Sequence, residues 1–126
     1  MKRAISFAVM LLAAATMLGE APIHTDAPAK SIVGYLRDSG CVYRFQEVVK
    51  PLPNGCLEAC VRAASPLVIL TKKGEVYHPI STKMPDADIR PTLLPFAGKL
   101  VKITGHIYER GGSKAIAVEQ IEGVKE

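Results

Sequence analysis

Residues 98–111 read "GKLVKITGHIYERG". In an extended chain Val101, Ile103 and Ile107 fall on one face, and Lys102, Thr104, His106 and Tyr108 on the other. That period of two belongs to a strand with one side on a core and the other toward water. "RGGSK", residues 110–114, supplies a turn, and "AIAVEQIEG", residues 115–123, reads as the returning strand. Upstream, the apolar run "PLVILT" (66–71) is followed by "KKGE" and then "VYHPI" (76–80). This predicts a second antiparallel hairpin, with Gly74 as a left-handed turn residue.

The first element is "SIVGYLRDS", residues 31–39, with Ile32, Gly34 and Leu36 on one face and Val33, Tyr35 and Arg37 on the other. It reads as a strand ended by the turn-forming "DSG". Residues 41–55, with two prolines and "NG", read as a loop. In "CLEACVRAA" (56–64) Leu, Glu and Ala favour a short helix, with Asn54 as its N-cap. Pro85, Pro91 and Pro95 allow no more than a short helical turn in residues 81–97.

Five strands grouped one, two and two, with a short helix between the first and second and a long connection after the third, predict a mainly β fold. The arrangement expected is a small five-stranded OB-like barrel. A small open β-sandwich is the alternative. Gly34 and Gly105, inside strands, suit the sharp bends of a small barrel.

Ahead of this domain, "MKR" precedes "AISFAVMLLAAATML", an uncharged apolar run from Ala4 to Leu18. A basic start followed by a short apolar stretch is the layout of a secretory segment. It falls short of the roughly 20 apolar residues of a membrane span. The expected organisation is a secretory segment at 1–21, a proline-containing tether at 22–30 and a β domain at 31–123. The chain is expected to be exported, to a periplasm or the extracellular space, touching a membrane only through an uncleaved leader.

The whole chain carries 16 basic and 12 acidic side chains. Without residues 1–21 it loses Lys2, Arg3 and Glu20, leaving 14 against 11, a net charge of about +3. No run of more than two like charges occurs, so this is no nucleic-acid footprint. Tyr35, Tyr43, Tyr77 and Tyr108, near Lys102 and Arg110, are the residues a base-stacking platform would need. No nucleic-acid partner is expected for an exported chain.

Taken in order, "RDSGC", "CLEAC", "LVILTKKGEVY", "FAGKLVKITGHI" and "AIAVEQI" form a pattern D-S-x-C, C-x-x-x-C, apolar strand, G-x-V-Y, A-G-x-x-V-x-x-T-G. Over about residues 32–121 the chain resembles a group of small exported bacterial proteins with this pattern. The resemblance implies export and an OB-like architecture, and it brings no activity with it. Members of that group often carry a histidine shortly after the first cysteine. Here "VYRFQ" follows Cys41, which counts against a metal site built on that histidine.

Three cysteines, Cys41, Cys56 and Cys60, hold most of the chemistry. Export places them where disulfides persist, and an odd number leaves at least one thiol out of any pairing. On a helix Cys56 and Cys60 share a face one turn apart, with side chains too parallel for an unstrained bridge. A disulfide from Cys41 to Cys56 or Cys60 is therefore the first expectation. Closing a loop of about 15 residues is worth roughly 3 kcal/mol in the chain-entropy model. Alternatively, Cys41, Cys56 and Cys60 form a thiolate site suited to Cu(I), or to Zn(II) with a fourth ligand. Candidate fourth ligands are weak: His24 lies in the tether, and His78 and His106 lie in strands.

No catalytic set is expected. Ser39, Ser65, Ser81 and Ser113 occupy turn-like contexts without a nearby histidine, and Asp86 and Asp88 in "PDAD" read as a solvated loop. C-x-x-x-C lacks the C-x-x-C spacing of a thiol redox pair. The sequence therefore predicts a non-enzymatic binding or envelope-associated module, stapled through Cys41 and needing no cofactor, with soft-metal binding as its competitor. Its partner is not identified.

Overall fold

The computed structural model describes residues 28–45 and 56–126. The expected secretory segment, most of the tether, the Asn54 cap and the Cys56 side chain lie outside the described residues. The elements are β1 (Lys30–Asp38), α1 (Ser39–Phe45), α2 (Cys56–Arg62), β2 (Leu67–Thr71), β3 (Val76–Ile80), α3 (Arg90–Leu93), β4 (Leu100–Arg110) and β5 (Ser113–Gly123). A single 3-10 turn, Leu94–Phe96, follows α3.

The five strands close into a barrel in the order β1-β2-β3-β5-β4, with β4 returning to β1. Every pairing is antiparallel except β3 with β5, where His78 stands opposite Ala115 in a parallel ladder. The long 81–99 connection makes this possible, because it carries the chain from β3 to the far side of β1. Ring closure selects the OB-like barrel over the open sandwich.

Alternation along the strands fills the barrel. Leu36, Ile69, Tyr77, Val101, Ile103 and Ile116 form one buried cluster, joined by Leu57 from α2 and Leu93 from α3. Close approach of neighbouring strands sets the two strand glycines. A β-carbon on Gly34 would lie 2.7 Å from Ile69 Cγ2, and one on Gly105 only 1.8 Å from the Ala117 carbonyl oxygen. Gly105 also sits where the β4–β5 register shifts, the bulge that bends β4 around the barrel. Gly74 turns the β2–β3 hairpin with φ of 81°.

One expectation is corrected. Residues 41–55 were expected to be a loop, but Ser39–Phe45 is helical. The prolines and "NG" that suggested a loop all lie beyond Phe45, and "DSG" opens a helix instead of only turning the chain. Asp38 Oδ1 accepts the Cys41 N–H at 2.9 Å, the bond of an N-cap side chain to the third helical residue. Val42 of α1 then buries against Val68 and Leu70, a second, smaller cluster on the outer surface of the sheet.

The Val33–Tyr35–Arg37 face of β1 is solvent-exposed only at Val33, while Tyr35 and Arg37 are buried. The Arg37 guanidinium carbon lies 4.9 Å from the Tyr35 ring centroid, and the Tyr35 hydroxyl donates to the Glu126 carboxylate. That bond, reinforced by burial, raises the Tyr35 phenol above its ordinary pKa.

Candidate metal centre

Cysteines far apart in sequence meet because β1 and β2 pair at their ends. Asp38, the last residue of β1, stands opposite Leu67, the first of β2. Immediately beyond, the Ser39 N–H donates to the Pro66 carbonyl at 2.9 Å. Cys41 follows that junction by one helical turn, and α2 delivers Cys60 just before it.

The end of α2 is fixed by its own hydrogen bonds. The Ser65 N–H returns to the Cys60 carbonyl at 3.1 Å and the Ala64 N–H to the Val61 carbonyl at 3.0 Å. These are the two bonds of a Schellman cap, with Ala64 in the left-handed position at φ of 58°. Cys60 thus belongs to a locked helix end, and Cys41 to a helix whose first turn is capped by Asp38.

A carboxylate oxygen of Asp38 and the Sγ atoms of Cys41 and Cys60 all lie within 4.8 Å of one another. Both cysteines are half-buried, whereas Asp38 is 5 % exposed. Oδ1 is engaged by the Cys41 N–H; Oδ2 is buried and has no hydrogen-bond partner among the described residues. A buried carboxylate oxygen left in that state is costly. A cation or a shared proton relieves it; a disulfide cannot, since its sulfurs donate nothing.

The structure therefore brings together two of the three expected cysteines and adds an aspartate. The Cys56 side chain lies outside the described residues, and the backbone puts Cys56 at the first residue of α2, one turn before Cys60. His78 and His106 do not join the group. His106 Nε2 instead meets Glu119 Oε1 at 3.0 Å. Asp38 escaped the sequence reading as a ligand although "RDSGC" contains it. The available signal was its place three residues before Cys41, which on a capped first turn puts its carboxylate back over the cysteine.

The other candidates are absorbed by structure. Asp86 accepts the Ser81 N–H at 2.7 Å. Asp88 takes Nε and Nη2 of Arg90 at 3.0 Å each, which lowers its carboxyl pKa and raises that of Arg90. The tyrosines form no platform: Tyr35 and Tyr77 are buried, while Tyr43 and Tyr108 are exposed. Ser113 and His78 line one shallow cleft of about 300 Å³ with Tyr43, Glu75 and Lys114. No hydrogen bond joins that serine and histidine among the described residues, and Lys114 Nζ donates to Glu75 Oε1 at 2.6 Å.

Comparison with protein-family models, curated proteins and solved structures finds no match for this chain.

Proposed function

We propose that this protein is an exported, non-enzymatic binding module that holds a thiophilic metal ion at Asp38, Cys41 and Cys60. One observation carries this reading: a buried carboxylate oxygen without a hydrogen-bond partner among the described residues belongs to the residue that meets two thiol sulfurs. Ligands around tetrahedral Zn(II) stand roughly 3.5–3.8 Å apart, given metal–ligand bonds of about 2.0–2.3 Å. Side-chain rotations of two half-buried cysteines cover the difference from 4.8 Å. Export rests on the "MKR" and "AISFAVMLLAAATML" layout.

The second reading is a Cys41–Cys60 staple, favoured by the same proximity of sulfurs. Native mass spectrometry of protein purified under reducing, anaerobic conditions and titrated with Zn(II) or Cu(I) separates the two. One tightly held ion, lost in Cys41→Ser and in Cys60→Ser, supports the metal centre. Binding of neither ion by the fully reduced protein leaves the staple as the role of these cysteines.

A further inference from the structure

Resting on the metal reading, we infer that Asp38 sets the choice of ion, making the centre selective for a divalent borderline cation such as Zn(II) over Cu(I). Three features of Asp38 point this way. Its carboxylate is nine-tenths buried, so its charge is not dissipated into solvent. Oδ1 is pinned by the Cys41 N–H at 2.9 Å, which orients the group before any ion arrives. Oδ2 has no hydrogen-bond partner among the described residues, and a carboxylate oxygen of Asp38 lies within 4.8 Å of both sulfurs.

The chemistry then discriminates. A carboxylate oxygen is a hard ligand that suits Zn(II), whereas Cu(I) prefers thiolates alone. Charge acts in the same sense. Two thiolates and a carboxylate around Zn(II) leave one net negative charge; around Cu(I) they leave two, in a site sheltered from water. Excess buried charge is costly, so the aspartate favours the divalent ion. Asparagine retains an oxygen to accept the Cys41 N–H and removes only the charge and the anionic ligand.

The test is a pair of anaerobic chelator competitions, with Zn(II) and with Cu(I), on the wild-type protein and on Asp38→Asn. The expected result is a Zn(II) affinity lowered at least about 100-fold, more than the loss typical of a supporting group. The Cu(I) affinity is expected to change by less than about 10-fold, on the same scale. Equal losses for both ions, or none for either, overturn the inference while leaving the metal reading intact. Failure of the wild-type protein to bind either ion overturns both. Should Asp38→Asn not fold, X-ray absorption of the Zn(II)-loaded wild type decides. Oxygen at about 2.0 Å beside sulfur at about 2.3 Å supports the inference, and sulfur alone overturns it.

Discussion

The carbonyl oxygen of Ala117 occupies the space that a β-carbon on Gly105 would need, with 1.8 Å between them. Because the clash is with backbone, no side-chain rotation relieves it, and the bulge between Thr104 and Gly105 would have to be rebuilt. Overpacking a well-packed site commonly costs about 1–3 kcal/mol. Gly105→Ala is expected at or above the top of that range. Urea denaturation against the wild type checks this, and a change below about 0.5 kcal/mol, the usual size for a neutral surface site, would show that β4 bends by another means.

The opposite sign is expected at Ala64. It closes the Schellman cap of α2 with φ of 58°, a conformation that costs a residue with a β-carbon and suits glycine. Ala64→Gly should therefore raise stability by up to about 1 kcal/mol, the strain relieved being partly offset by a more flexible unfolded chain. A thermal melt lower than that of the wild type would contradict it.

Cys41 and Cys60 are expected to pair with each other when oxidised, since their sulfurs already lie within 4.8 Å. In a Cys56→Ser background, exchange with a small-molecule disulfide should form a Cys41–Cys60 bond. The protein loses two protons and the reagent leaves as two thiols. Peptide mapping without reductant reads the bond directly. Mixed disulfides on both cysteines without an internal bond would mean that α1 and α2 cannot close the gap. Prior loading with Zn(II) should slow the exchange.

Lys114 of β5 ties down Glu75, the residue just before β3, and the hydrogen bond is the main cause of both their shifts: the Glu75 carboxyl is lowered and the Lys114 amine raised. The carboxylate's contribution is present above the ordinary glutamate value of about 4.3 and is lost as pH falls through the lower folded value. The amine's contribution is present below about 10.4 and lost as pH rises through its raised folded value. The stability gap between wild type and Glu75→Gln should thus be constant near neutrality and close in acid. Denaturant midpoints followed from about pH 7 to about pH 3 measure it. A gap that persists unchanged in acid would assign the effect to packing.

Much of the barrel was legible because its strands obey local rules. The alternation of Val101, Ile103 and Ile107, the turn at Gly74 and the helix formers in "CLEAC" each act over a few residues, and each appears where expected. Helix α1 was not legible because its local signal, the Asp38 cap, is shared with a turn, and the rest is tertiary: Val42 gains its place from Val68 and Leu70 on a distant strand. The burial of Arg37 was hidden as well, since alternation along β1 assigns its face but does not say that this face is covered. The site was half legible. Cysteines announce themselves by type, whereas Asp38 becomes a candidate only once the β1–β2 ladder brings α2 back beside the turn it caps.

The parallel β3–β5 ladder also bears on when this chain can fold. β3 gains its second neighbour only from β5, and β1 gains its own from β4, both late in synthesis. A nascent chain ending before residue 113 would hold β3 with one side open and the barrel unsealed. Closure of the barrel therefore waits for the final strand. Such a delay would suit the export proposed above, because the chain stays open until its last strand is available.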